Sequence, residues 1–401
     1  MVEPFQKCLS QVNFFCKLLG MNIDYRGDSE TLIQFLRSHK YFIAQFILFN
    51  SQNVSQISWV CEAVITGKSF LDVTYMIPCL IFCILSIFKG VSILYYAKYN
   101  YEFIVTMKNL LAGLTPSNEE HNIFMKTIID KHVLMLTIIF KRMVNIVAVC
   151  LIMFALGPIF IMLSNYYKTK EVKLELPFIG YYPFNEYDLR IYPFMFLHQW
   201  WTSLFATLMV CGTDYFFFTC CTFIQIQFTI LNYDMEKLVN DGSSSCDKDR
   251  LKELVLRHIE LMRCVDIMET IFSTSILFNA LTSSVIICIT GFNVSVVENV
   301  FMVGSFLAFL IFSVVEIFLY CYYGDIIMRS SMNVGNAIYN SCWYMTGVAD
   351  RKLFLIIITR SQTPCELTAH GFAKINLYTF SSILSTAWSY FALLKTMYHP
   401  E

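Results

Sequence analysis

Seven stretches of this chain are apolar for about 20 residues or more, the length a helix needs to cross the hydrocarbon core of a bilayer. They lie near 39–61, 70–96, 138–164, 191–219, 266–291, 297–323 and 370–394. The first is the most polar, because Gln45, Asn50, Gln52, Asn53 and Gln56 interrupt it. Between the stretches, polar and apolar positions alternate with helical rather than strand period. Leu251, Leu254, Val255, His258, Leu261, Met262 and Val265 form one face of a helix over 247–265. Asp247 or Asp249 is its expected cap, and Asp241 to Ser245 reads as a loop before it. Joined to the fifth span, that helix runs about 40 residues, or about 60 Å, and projects beyond the membrane. The segment 330–362 is also apolar-periodic but carries Arg351, Lys352 and Arg360, so it reads as a helical base rather than a span. At the amino terminus, Phe5, Leu9, Val12, Cys16 and Leu19 recur at helical spacing and predict an amphipathic helix. Lys17 interrupts the apolar run there, which argues against a secretory signal.

The expected fold class is therefore an all-α integral membrane protein with seven transmembrane helices. Composition agrees. The chain is 56% apolar and 15% charged, with mean hydropathy +0.56, where soluble domains are about half apolar and a quarter charged. The net charge of −1 offers no basic excess for phosphates, so a nucleic-acid partner is not expected. Lys and Arg set the orientation. One set of connecting segments (1–40, 97–131, 220–265, 324–374) holds 20 of them, and the opposite set holds 6. That bias predicts a cytoplasmic amino terminus and an extracellular carboxyl terminus, opposite to a G-protein-coupled receptor. The 15 cysteines show no metal spacing, and several (Cys79, Cys83, Cys150, Cys211, Cys288) lie inside apolar runs, so they read as small hydrophobes. No metal or cofactor is expected.

Candidate sites follow from the spans. In the last one, Thr379, Ser382, Thr386, Ser389, Leu393 and Thr396 recur at steps of three and four, on one face. Such a stripe serves close helix packing or the wall of a water-filled path, with Leu393 and Met397 as an apolar ring that gates by dewetting. One helix cannot enclose a pore, so the second reading requires a cyclic oligomer. Toward the outer halves of spans two to four and six, Thr74, Tyr75, Cys79, Phe154, Pro158, Met162, His198, Trp201, Phe205, Met302 and Ser305 fall at similar depth. Aromatic and Met-rich walls with few polar groups suit a small apolar ligand, or they are ordinary interior packing. Among acids within the spans, Glu316 is the deepest and has no partner that the sequence names, while Asp214 and Asp325 lie near the inner boundary. His121 and His132 sit in a polar segment with no evident partner. Asn293-Val294-Ser295 fits a glycosylation sequon in a loop too short to favour modification. No catalytic signature of a hydrolase, zinc enzyme or phosphate-binding loop is present in the sequence, so an enzyme is not expected.

The last third carries more specific text. It reads Ser331-Met332-Asn333-Val334-Gly335-Asn336-Ala337-Ile338-Tyr339, then Trp343, then Arg351-Lys352. Arg360-Ser361-Gln362-Thr363-Pro364 follows, then Tyr378-Thr379-Phe380-Ser381-Ser382-Ile383-Leu384 and Ser389-Tyr390-Phe391-Ala392-Leu393-Leu394. Together with Tyr182-Pro183-Phe184 before the fourth span, this resembles the insect odorant receptors. The resemblance implies an odorant-gated nonselective cation channel that binds a small volatile odorant and works as a heterotetramer with the odorant receptor co-receptor. It implies a pore and gate at Ser382, Thr386, Ser389, Leu393, Thr396 and Met397, and a subunit anchor around Ala337, Tyr339, Trp343, Arg360, Gln362 and Pro364. The long insertion that the co-receptor carries before its fifth span is absent here, which implies a ligand-tuning subunit in the plasma membrane of sensory dendrites. The expected organisation is a cytoplasmic amino-terminal helix (1–38), a six-helix ligand-binding bundle (39–323), an anchor helix and turn (324–369) and a pore-lining helix (370–401). A seven-span G-protein-coupled receptor and a small-molecule transporter are the competing classes. The transporter lacks support from any internal repeat.

Overall fold

The computed structural model describes residues 2–21, 37–116, 118–240 and 247–398. Among these the chain forms ten α-helices: α1 (Val2–Leu19), α2 (Lys40–Ile65), α3 (Phe70–Tyr95), α4 (Ala97–Ala112), α5 (Glu119–Thr169), α6 (Tyr192–Asn240), α7 (Lys248–Val296), α8 (Val300–Asn340), α9 (Val348–Ser361) and α10 (Leu377–Tyr398). Five of them, α3 and α5 to α8, are long and apolar enough to cross a membrane. Helices α2 and α10 have 26 and 22 residues, long enough for the same thickness but more polar.

The long helices run well past the expected spans. Helix α5 has 51 residues, α6 and α7 have 49 each, and α8 has 41. At 1.5 Å per residue, α7 alone is about 74 Å long. Each leaves the membrane as one unbroken helix, and the projecting turns gather into a base. Helix α6 is the axis of the bundle. Its window of membrane length is 89% buried, because α1, α3, α5, α7 and α8 all pack on it. Helix α1 lies against α6, not free on a membrane surface. Its stripe of Phe5, Leu9, Val12, Cys16 and Leu19 is buried, with Phe5 edge-on to Phe223 at 4.8 Å. Gly20 ends it at φ +78°, and Met21 N–H reaches the Cys16 carbonyl at 2.7 Å. That left-handed C-cap favours glycine, and a Cβ there would also strike the backbone of Phe42.

Three boundaries differ from expectation. The stretch 97–131, expected as a connection, contains α4 and the start of α5. Its signal was the buried stripe Asn100, Phe103, Ile104, Met107 and Leu111. The segment 330–362 is not one helix but the end of α8, a 3-10 turn at Trp343–Met345 and α9. The last helix starts at Leu377 rather than 370, because 367–375 folds into a small hairpin. His370 and Gly371 both have positive φ inside a turn closed by Phe372 N–H on the Ala369 carbonyl at 3.0 Å, the geometry of tight hairpin turns. Glu269 of α7 holds this hairpin by accepting from Thr368 N–H at 2.8 Å and from the Thr368 hydroxyl. Gly324 of α8 lets the backbone at Ile375 cross in contact, where a Cβ would collide with it. Asp247 caps α7, accepting from the amides of Asp249 and Arg250 at 3.1 and 3.2 Å. The expected loop at Asp241 to Ser245 lies outside the described residues.

The deepest polar feature joins α3, α6 and α8. Lys89 is fully buried. Its Nζ donates to Asp214 Oδ1 at 2.6 Å and to Glu316 Oε1. Tyr320 donates its hydroxyl to the same Asp214 oxygen at 2.7 Å, and the ammonium stands 5.0 Å from the Tyr320 ring centre. Glu316 thus has the partner that the sequence did not reveal, and Asp214 belongs to the core rather than the inner boundary. Removing one member of such a cluster strands its partners in a medium without water, at about 3–5 kcal/mol. Lys89→Ala is therefore expected to abolish surface expression or sharply lower the detergent melting temperature. Replacing Lys89, Asp214, Glu316 and Tyr320 together by Met, Leu, Leu and Phe restores most of that loss. A Lys89→Ala protein that expresses and melts like wild type would contradict the assignment.

The base is held by charge. His121 Nε2 lies 3.0 Å from Asp234 Oδ1, so His121 has a partner where none was evident. Arg257 reaches Asp234 at 3.3 Å and gives two further bonds to Gln227 Oε1, at 3.2 and 2.6 Å. His258, the residue after Arg257, is buried. Burial, reinforced by the Arg360 guanidinium, pushes its imidazole down to about 4. In the unfolded chain it titrates near 6.5, so the unfolded state takes the proton first. Stability is complete above about pH 6.5 and is lost as pH falls toward 4, by about 2 kcal/mol between pH 7 and 5. The detergent melting temperature is expected to fall over that interval and to fall less in His258→Gln. An equal drop in both proteins would remove His258 as the cause.

Candidate functional site

Between α2, α3, α5, α6 and α8 lies a narrow, apolar-lined pocket. Its walls are aromatic and thiol-bearing. Phe82 meets Phe309 and Phe312 edge-on at 5.4 and 6.0 Å, and Phe154 meets Phe309 at 6.3 Å. Cys79, Cys83, Cys150, Ala206 and Thr207 leave the room between them. A second pocket continues toward the end of the bundle that carries the 170–191 connection. The two share Cys79, Phe154 and Phe178 as a common wall.

Helix α2 explains its own polarity here. Gln52, Asn53, Ser55 and Gln56 are buried together with Phe42, Phe49, Trp59 and Ala63, while Ile47, Leu48, Val54, Ile57 and Val64 are exposed. The helix is inside-out relative to a soluble one, with its amides facing the bundle and its aliphatic face left for lipid. The 170–191 connection roofs the cavity, and its backbone is fastened to the helices below. Gln199 of α6 takes Phe178 N–H on Oε1 and gives Nε2–H to the Phe178 carbonyl, both at 2.9 Å. Tyr181 N–H bonds the Ser55 carbonyl at 3.1 Å. The Phe178 ring stacks on Phe154 at 5.8 Å.

Of the eleven residues expected at a ligand site, six line these chambers: Cys79 and Phe154 both, and Tyr75, Pro158, Met302 and Ser305 the second. Five do not. Thr74 is buried, with its hydroxyl on the Leu71 carbonyl at 2.8 Å. The Met162 sulfur accepts from Tyr192 at 3.6 Å. His198 Nε2 lies 3.2 Å from Ser51 Oγ, Trp201 is 38% exposed, and Phe205 packs on Phe49 at 5.5 Å. The last three share one face of α6 that turns toward α2 and the surface. The cavity face of α6 is Thr202, Ser203, Ala206 and Thr207. The expectation on α6 followed its aromatic residues, whereas the face of α6 that borders this pocket carries small side chains, which leave space. Gln52, Gln56, Phe82, Phe178, Phe309 and Phe312 also escaped notice. The amides of α2 were the one visible signal, because polar residues in a span point inward.

Helix α10 packs on α7 and α8 and buries only Ile383 and Ala387, with Phe380 edge-on to Phe318 at 5.4 Å. Ser382, Thr386, Ser389, Leu393, Thr396 and Met397 are all exposed on the outer side. Thr386, Ser389 and Thr396 turn their protons to carbonyls of the preceding turn, at 2.9, 2.9 and 3.0 Å, and present oxygen outward. In the base, Ala337 is buried and Trp343 and Pro364 are half-buried, while Tyr339, Arg360 and Gln362 are exposed. Arg360 closes the turn after α9 by donating to the Thr363 carbonyl at 2.7 Å. Leu355 and Ile356 of α9 are exposed apolar neighbours, as on surfaces that meet a partner. Among the described residues no His, Cys, Asp or Glu cluster is arranged for a metal ion.

Comparison with known proteins gives a consistent result. The profile of the 7tm odorant receptors matches residues 69–388. Odorant receptor 67c of Drosophila melanogaster is 23% identical, over 96% of this chain and 94% of its own length. Odorant receptor 85b of the same organism is 29% identical, over 59% of this chain and 60% of its own. The solved structure of the insect olfactory receptor OR5 from Machilis hrabei in complex with eugenol superposes with TM-score 0.83. It covers 98% of both chains at 16% identity. A second solved structure of OR5 from Machilis hrabei superposes with TM-score 0.80, over 97% of both chains at 16% identity.

Proposed function

This chain belongs to the 7tm odorant receptor family, and from that premise we propose that it is the ligand-tuning subunit of an odorant-gated, nonselective cation channel. It shares the all-α, seven-helix membrane fold of the family, whose members are receptors rather than enzymes. The observation that carries the proposal is the pocket between α2, α3, α5, α6 and α8, lined almost wholly by apolar surface. Phe178 of the 170–191 connection forms part of its wall.

In this reading the ligand-binding bundle is 39–323, the anchor 324–369 and the pore helix 370–401, with 1–38 on the cytoplasmic side and the carboxyl terminus outside. The Lys and Arg bias supports that orientation. Helix α10 supports the channel. It is held to its own subunit by a narrow face, and its hydroxyl stripe is left free to meet a central axis in a heterotetramer with the odorant receptor co-receptor. The exposed Tyr339, Arg360 and Gln362, beside Leu355 and Ile356, supply an anchor surface. Ligand shifts gating by its difference in affinity between closed and open states. The cavity shares α8 with the anchor and, through the packing of α8 on α10, reaches the pore helix. The expected site of action is the plasma membrane of sensory dendrites.

The test is current in cells expressing this chain alone, the co-receptor alone, and both. A volatile panel is expected to evoke cation current with a ligand preference only in the pair. Silence of the pair with this chain at the surface would overturn the channel reading and favour a transporter or a G-protein-coupled receptor. Within the pair, Leu393→Ala is expected to raise basal leak severalfold by removing apolar bulk where dewetting holds the closed state. An unchanged basal conductance would displace the gate from Leu393.

A further inference from the structure

The cavity is not chemically neutral, and the hydrogen bonds around its roof determine which end of the Gln52 amide is left over. Gln199 fixes the first link. Its Oε1 takes Phe178 N–H and its Nε2 gives one proton to the Phe178 carbonyl, so the amide cannot be turned over without losing both bonds. The second Nε2 proton goes to the Tyr182 hydroxyl oxygen at 3.2 Å. Tyr182 has a single proton, and it donates that to Gln52 Oε1 at 2.7 Å. Gln52 must therefore present its NH2 to the other side. That nitrogen is buried with no partner, on a side chain 2% exposed that forms part of the cavity wall. Of the other polar groups on this wall, Thr202 and Ser203 give their protons to the Gln199 carbonyl at 2.9 and 2.8 Å, while the Thr207 hydroxyl lies on the same wall and Gln56 Oε1 is a buried acceptor without a partner.

The Gln52 N–H is matched by a ligand group that accepts a hydrogen bond. We propose that Gln52 is a specificity-determining residue, and that the cavity selects small, mostly apolar volatiles carrying an acceptor oxygen over hydrocarbons of the same shape. The shared chemistry is that of ketones, aldehydes, esters and alcohols. A hydrocarbon leaves the buried donor unpaired, a loss that an acceptor-bearing ligand of the same shape avoids. The roof relay makes the donor independent of Gln52's own rotational freedom. Tyr182 is a positioning residue, since it acts on the ligand only through the Gln52 amide.

This inference rests on the odorant-receptor reading above, and its test separates the two. In cells expressing this chain with the co-receptor, concentration–response curves are measured for pairs of volatiles matched in shape, one a ketone and the other the corresponding alkene or alkane. The wild type is expected to favour the ketone by about tenfold in half-maximal concentration, one hydrogen bond's worth. Gln52→Leu is expected to bring the ratio near one, and Tyr182→Phe to lower it partly, because the Gln52 amide is then free to turn. Surface labelling accompanies each variant. Where Gln52→Leu fails to reach the surface, the wild-type ratio and Tyr182→Phe decide. Currents from both members of each pair with equal sensitivity in wild type would overturn the role of Gln52 and leave the receptor reading intact. A tenfold preference that survives Gln52→Leu at normal surface level would likewise overturn it. No current from any volatile would instead overturn the reading on which it rests.

Discussion

A lysine ammonium in the middle of a bilayer has no water to turn to, so its counter-charges must come from the protein. Lys89 meets this demand with Asp214 and Glu316, and Tyr320 serves one of the two carboxylates. The three charged residues sit on α3, α6 and α8, which the chain separates by more than a hundred positions at each step. Their union fixes the relative rotation of three spans. A turn either way would leave a charge facing lipid, which is among the most costly errors a membrane protein can make. Most other features of the bundle follow from that rotation.

The cavity is the first of these. Cys79, Phe82 and Cys83 precede Lys89 on α3, Phe309 and Phe312 precede Glu316 on α8, and Ala206 and Thr207 precede Asp214 on α6. The chamber therefore lies about one to three helical turns from the charged cluster, along all three helices at once. With the floor fixed by charge, the roof is fixed by hydrogen bonds through Gln199, Tyr182 and Gln52. Small side chains on α6 and α3 then leave the space that large ones on α5 and α8 enclose. Beyond the cluster the same helices continue into the base, where Asp234, Arg257 and His121 repeat the device in a wetter setting. The result is a rigid axis with a hollow at one end and an interaction surface at the other.

Much of this was legible in the residues. Apolar length gave the spans, helical period gave α1 and the projecting part of α7, and the hydroxyl stripe singled out α10 before any geometry was known. What was not legible has a common physical cause. Pairings between distant helices depend on rotation, and hydropathy carries no rotation for a helix that is apolar all round. The partner of Glu316 was hidden for that reason, although Lys89 stood in plain view within a span. The same blindness put His198, Trp201 and Phe205 on the pocket wall and missed Thr202 and Ala206, one position away and about 100° round the helix. Helix α2 is the instructive opposite. Its glutamines made it look like a poor span, yet their spacing marked the face that the bundle needed.

The central claim is that a volatile ligand occupies the chamber between Phe82, Phe154, Phe309 and Phe312 beneath Phe178. Cryo-electron microscopy of the complex with the co-receptor, with and without an agonist found in the current assay, tests it most directly. Agonist-dependent density enclosed by those rings, accompanied by a wider spacing of the α10 helices at Leu393, is the predicted result. An agonist bound elsewhere, with the chamber unchanged between the two maps, would contradict the account.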